Sequence, residues 1–133
     1  MMMKFRFLFC SLLTLAILSL APLSGVIAAT KYSIDNPPKV PEKYVVGMEK
    51  FRDLCSSCHG KWGNGTPQGP PLMHGFYKPS HHADPTFYRA VLKGVQAHHW
   101  RFGDMPPVPG ATRKDVDVLL PFIRWLQREN GIY

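Results

Sequence analysis

The run Cys55-Ser56-Ser57-Cys58-His59 constrains what this chain can fold into more than any other stretch. A thiol pair at i and i+3 can close a small disulfide, share a metal with two further ligands, or be alkylated by a cofactor. A structural zinc wants four ligands, and there is no second cysteine pair, because the third cysteine, Cys10, lies in an apolar leader. A thioredoxin-like dithiol wants a βαβ pattern around it, which the flanking residues lack. The residue that follows the pair decides: C-x-x-C-H is the attachment sequence for c-type haem. Positions three apart share a face of a helical turn, so both sulfurs can add to the vinyl groups along one porphyrin edge while the next residue sets an imidazole beneath the iron. The run therefore predicts one covalent haem c, attached through Cys55 and Cys58, with His59 as proximal ligand.

A flat apolar cofactor also accounts for the distribution of the 13 prolines and 11 glycines. Residues 60–84 and 95–110 hold too many breakers for regular structure, and loops of that length normally argue against a compact domain. Against a porphyrin, Trp62, Leu72, Met73, Phe76 and Tyr77 can bury area with no sheet or helix behind them. Residues 1–29 have the form of a secretory signal peptide: Lys4 and Arg6, an apolar run, then Val26-Ile27-Ala28-Ala29. An uncleaved membrane anchor is the rival reading, but the apolar run is shorter than the roughly 20 residues that cross a bilayer. Export to the periplasm is the expectation.

Removal of the leader leaves 14 basic against nine acidic residues, a formal charge of +5 instead of +7. That balance favours redox protein partners with acidic docking surfaces, and Lys39, Lys61 and Lys78 are candidates to ring an exposed haem edge. Nucleic acid is excluded as a partner, since the exported chain has no basic run.

Residues 30–41 read as a proline-rich arm, extended along the domain or partly loose, and 42–133 as the domain itself. Pro41 and Glu42 open a helical pattern whose stripe is Tyr44, Met48, Phe51, Cys55 and Cys58. Gly47 costs such a helix roughly 1 kcal/mol relative to alanine, which predicts close approach by another helix. Asp84-Pro85 reads as an N-cap with proline at the first helical position, followed by a helix over 86–93 that presents Phe87, Val91 and Leu92 and ends at Gly94. Thr112-Arg113-Lys114-Asp115 has the form of a capping box opening a last helix striped by Val116, Leu119, Leu120, Ile123 and Leu126, with Phe122 and Trp125 beside it. Pro121 inside it predicts a kink. No segment alternates as a strand does.

Taken together, the chain resembles a class I, small monohaem cytochrome c from about Pro41 to Asn130. The carriers of the resemblance are the attachment run, the glycines Gly60, Gly63 and Gly65, the segment Gly69-Pro70-Pro71-Leu72-x-x-Gly75, and Gly103-Asp104-Met105-Pro106-Pro107. It implies an all-α domain of three main helices and long loops around the haem, with Met105 as sixth ligand and the Pro70 carbonyl on the other ring nitrogen of His59. It also implies that Gly47 and Phe51 cross Phe122 and Ile123. Among competing ligands, Met48 lies two turns before the attachment site on the same face, and Met73 adjoins the proximal proline segment, where it suits packing. Trp100 and Arg101 suit the haem propionates, whereas Trp62 and Tyr77 read as packing residues.

The histidines admit two readings. In one, His74, His81 and His82 are solvated, and His98, His99 and Trp100 cover the haem edge. In the other, some of them bind copper or zinc, or His98 or His99 replaces Met105; adjacent histidines diverge, so a chelate needs another loop. The function implied is one-electron transfer and not enzymatic catalysis. The alternatives are a dedicated haem subunit or donor of a larger oxidase or dehydrogenase, and a haem enzyme with an openable sixth site, for which no acid–base pair stands beside Met105.

Overall fold

The computed structural model describes Tyr32 and residues 36–133. The leader assigned to residues 1–29 lies outside the described residues, as does most of the arm's first half. Among the described residues the fold is all-α, and the extended pairing amounts to two isolated bridges, Thr66 with Gly69 and Val95 with Met105. A 3-10 turn at Glu42–Tyr44 leads into helix α1 (Val45–Leu54), and a single helical turn, α2 (Ser56–His59), follows. Another 3-10 turn at Gly75–Tyr77 precedes α3 (Asp84–Lys93), and α4 (Arg113–Glu129) closes the chain.

The core is built where α1 and α3 pack on α4. Phe51, Val116, Leu119, Phe122 and Leu126 are fully buried, and the rings of Phe51 and Phe122 meet at 5.7 Å. The apolar period of the last helix explains its placement, since Val116, Leu119, Leu120, Ile123 and Leu126 recur at the spacing of one helical face and all are buried. Its start is fixed by a reciprocal cap: Asp115 N–H donates to Thr112 Oγ1 at 3.3 Å and Thr112 N–H donates to Asp115 Oδ2 at 2.9 Å. Helix α4 remains helical through Pro121, which lies on the exposed face, where water can serve the carbonyl that proline leaves without a donor.

Three expectations need correction. Helix α3 begins at Asp84, with Ala83 at the N-cap and no side-chain cap bond. Asp84 is drawn away from capping because its carboxylate accepts from Arg124 Nε at 2.8 Å. Leu92 is 37% exposed, leaving Phe87 and Val91 as the buried face of α3. The α1 stripe ends at Cys55 and does not reach Cys58, which is exposed. The cause is local: Cys55 has φ −126° and ψ −30°, so the 100° progression of α1 is interrupted before α2 begins. The arm, where described, lies on the domain: Pro38 is buried, Val40 packs on the core, and the Tyr32 hydroxyl donates to Glu129.

Candidate cofactor site

The end of α1 and the turn of α2 carry the attachment run. Cys55 is buried, and its burial, reinforced by the neighbouring Cys58 thiol, pushes its pKa up to about 12, so it is held as the neutral thiol at physiological pH. His59 is also buried, and its Nδ1–H donates to the Pro70 carbonyl at 2.9 Å. That bond fixes the tautomer and leaves the Nε2 lone pair available to a metal. Burial lowers the proton affinity of the ring and outweighs the opposing influence of the Pro70 carbonyl, so the neutral imidazole is favoured on balance.

His59 and Cys55 open onto a cavity of about 410 Å³. Its walls come from three places: Phe87 and Val91 of α3, Leu119 and Ile123 of α4, and loop residues that include Leu72 and Met105. Met105 is held by a pair of backbone hydrogen bonds with Val95, each 2.9 Å. Gly94 makes this bridge possible: it sits at φ +79°, and a Cβ there would stand 2.5 Å from the Met105 carbonyl oxygen. Pro70, Leu72, Trp100 and Met105 thus share one cavity with His59 and Cys55. Arg101 and Cys58 are exposed and lie outside its lining.

Residues 45–127 match the family model for cytochrome c. The chain belongs to the cytochrome c family. No curated protein and no solved structure shows significant similarity to it. Covalently bound haem c and electron transfer, as opposed to catalysis, are what membership of that family implies. No helix among the described residues is long and apolar enough to cross a membrane.

The residues present fit such a group. Beyond the attachment run and the apolar walls, one buried donor in the cavity lining, Trp100 Nε1–H, has no hydrogen-bond acceptor. The nearby Trp100 N–H partly opposes the upward push of burial on the Tyr77 phenol, but the two fall short of hydrogen-bond geometry. A buried donor without an acceptor costs about 1–3 kcal/mol, and a carboxylate-bearing ligand relieves that cost. Trp62 itself packs in the hydrophobic core and lies outside the cavity lining.

Sequence reasoning missed a polar hub in this cytochrome. Arg124 and Gln127 lie on the apolar face of α4, both buried. Arg124 donates to Asp84 Oδ1, to the carbonyls of Tyr77 at 2.9 Å and His82 at 2.5 Å, and to Gln127 Oε1 at 2.7 Å. Gln127 Nε2 donates to the carbonyls of Leu72 and Tyr77, each at 3.2 Å. The two side chains pin the loop that forms one wall of the cavity. The available signal was their position, since 120, 123, 124 and 127 fall on one helical face. Arg124→Leu is expected to destabilise the haem-loaded protein by about 2 kcal/mol, because it strands loop carbonyls while freeing an Asp84 that water already reaches. Urea unfolding checks this, and a midpoint unchanged from wild type would refute the hub.

The histidines also gather here. His81, His82, His98 and His99 line the cavity, and the Phe76 ring stacks on that of His99 at 4.4 Å. Burial holds the pKa values of His82 and His99 below the ordinary imidazole value; for His82 the Phe76 carbonyl opposes it, and neighbouring positive charges add to the lowering of both.

Proposed function

We propose that this cytochrome is an exported, class I, single-haem carrier of one electron at a time. Cys55 and Cys58 would hold the haem by thioethers, and His59 and Met105 would be its two axial ligands. The observation that carries the reading is the shared cavity, lined both by a buried imidazole with its tautomer fixed by Pro70 and by Met105, whose backbone is held by the Val95 bridge. When bound, haem c supplies a reversible ferric/ferrous couple.

The chain's own residues set the conditions for that couple. His59 presents Nε2 without having to lose a proton, since Nδ1 carries the hydrogen that Pro70 accepts. The Met105 thioether is a soft ligand that favours the electron-rich ferrous state, which raises the potential relative to two imidazoles. Phe87, Val91, Leu119 and Ile123 keep water from the site and disfavour the extra positive charge of the oxidised state. The orphaned N–H group of Trp100 offers a donor for a propionate carboxylate. Lys39, Lys61 and Lys78 are exposed and would steer acidic redox partners toward the domain.

The ferric absorption spectrum tests the ligand set. Wild-type protein is expected to show the far-red sulfur-to-iron band at neutral pH. Met105→His is expected to abolish it and to lower the midpoint potential by tenths of a volt, within the roughly 0.8 V range that axial ligation spans. A wild-type spectrum without the band, or a band that survives the substitution, overturns the assignment of Met105.

A further inference from the structure

One side-chain cluster is left unused by electron transfer through a His/Met haem. His81 and His82 sit in the loop before α3, and His99 comes from the loop after it. Their ligand nitrogens all lie within 4.8 Å of one another. We propose that His81, His82 and His99 form a three-imidazole binding site for a copper(II) or zinc(II) ion in the partly exposed wall of the cavity. The proposal goes beyond the electron-carrier reading and does not depend on the identity of the sixth haem ligand.

Three features support it. The first is spacing. Metal–nitrogen bonds of about 2.0–2.1 Å at tetrahedral angles put two ligating nitrogens about 3.3–3.4 Å apart. His81 Nε2 and His99 Nε2 are 3.2 Å apart. The two atoms thus already span one edge of a coordination tetrahedron, and the ligating nitrogen of His82 lies within 4.8 Å of both.

The second is the supporting shell. His82 Nδ1–H donates to the Phe76 carbonyl at 2.5 Å, which leaves Nε2 as its ligating nitrogen. Arg124 holds the His82 carbonyl from below at 2.5 Å, and Phe76 stacks on His99 with an interplanar angle of 18°. A backbone carbonyl on the far nitrogen of a histidine is the usual device for orienting a metal ligand. The divergence of adjacent histidines, which makes His81 and His82 alone a poor chelate, is resolved because His99 arrives from a different loop.

The third is donor chemistry. The set holds three imidazoles and neither carboxylate nor thiolate. It therefore disfavours calcium and magnesium, which want oxygen, and suits zinc(II) and, more tightly, copper(II). Three protein ligands leave a fourth position for water.

The experiment uses the haem-loaded protein, stripped of loose metal by a chelator and titrated separately with copper(II) and zinc(II). One equivalent of each is expected to bind per chain by calorimetry. Copper(II) should show nitrogen hyperfine structure in electron paramagnetic resonance, and zinc(II) should compete that signal away. The haem absorption bands should not move. His81→Ala and His99→Ala should each weaken binding by at least the roughly 10–100-fold that loss of a merely supporting group costs. Glu49→Gln, at an exposed position of α1, should leave it unchanged. Three results overturn the proposal: no stoichiometric binding, binding that persists in the His81→Ala/His99→Ala double variant, or metal uptake that alters the axial-ligand spectrum. Loss of the wild-type haem spectrum in His99→Ala, without metal binding by the wild type, would reassign that imidazole to the iron.

Discussion

Replacing both Cys55 and Cys58 by alanine is expected to give a chain that carries no covalent haem and shows no sharp thermal transition. The argument is one of magnitude. The fully buried cluster of Phe51, Val116, Phe122 and Leu126 sits on the α1–α4 side of the molecule, whereas Leu72, Phe87, Val91, Leu119 and Ile123 wall a space of about 410 Å³. Applying roughly 24 cal/mol per Å³ of unfilled apolar volume, a wall that kept its shape with nothing bound would forfeit about 10 kcal/mol. That figure is comparable to the whole stability of a small domain, about 5–15 kcal/mol. The 60–84 loop keeps the hydrogen bonds of Arg124 and Gln127 to the carbonyls of Leu72, Tyr77 and His82, whereas the loop over 95–110 has no such anchor and releases first. Helices α1 and α4 can stay associated through their own contacts, which predicts a compact state with much of its far-ultraviolet dichroism and little fixed tertiary signal. Cys58→Ala alone is the milder change, because Cys58 is exposed and Cys55 keeps one anchor. Intact mass, near-ultraviolet dichroism and a thermal scan on the three proteins decide the matter. A double variant melting cooperatively within a few degrees of wild type would show that the polypeptide is self-sufficient.

What could be read from the sequence, and what could not, divides by range along the chain. Local rules placed the capping box at Thr112 and the face of α4, because both depend on residues within a turn or two of one another. The same local rules misplaced Asp84. An aspartate before a proline is a good N-cap in isolation, but here a guanidinium 40 positions away competes for it. Cys58 was assigned to the α1 face by extending a helical period through Cys55, where the backbone departs from the helix. Arg124 and Gln127 were passed over because their worth lies in carbonyls 42 to 55 residues distant, which no spacing rule encodes. The approach of His99 to His81 and His82 is likewise a property of two loops folded together. Sequence supplied the chemistry of each group, and the tertiary fold decided which groups meet.

The largest effect expected from a single substitution away from the cofactor is at Gly47. Glycine inside α1 gives up about 1 kcal/mol of helix propensity, so something must offset it. The offset is the crossing with α4. A Cβ at position 47 would collide with the carbonyl oxygen of Val118 and stand 3.0 Å from Phe122 Cβ. The first of these neighbours is backbone inside a 17-residue helix whose next turns are fully packed, and it cannot move aside as a flexible side-chain tip would. The helices must separate instead, and the contact between Phe51 and Phe122 opens with them. Gly47→Ala regains about 1 kcal/mol of propensity against an overpacking cost near the top of the usual 1–3 kcal/mol range, for a net loss of about 2 kcal/mol. Gly47→Val adds two methyl groups at the same crossing, with β-branching that limits their escape, and is expected to cost about 4 kcal/mol or more. At about 4–8 °C per kcal/mol for a domain of this size, that corresponds to a Tm lower by about 15–30 °C. Val46→Ala is the matched control, since Val46 is 58% exposed on the adjacent position and should change Tm little. The haem spectrum separates the two possible routes of damage: it should persist in Gly47→Val below the transition, because the crossing lies on the face of α1 that packs against α4. A Gly47→Val protein as stable as the Val46→Ala control would mean that the two helices do not meet at this glycine.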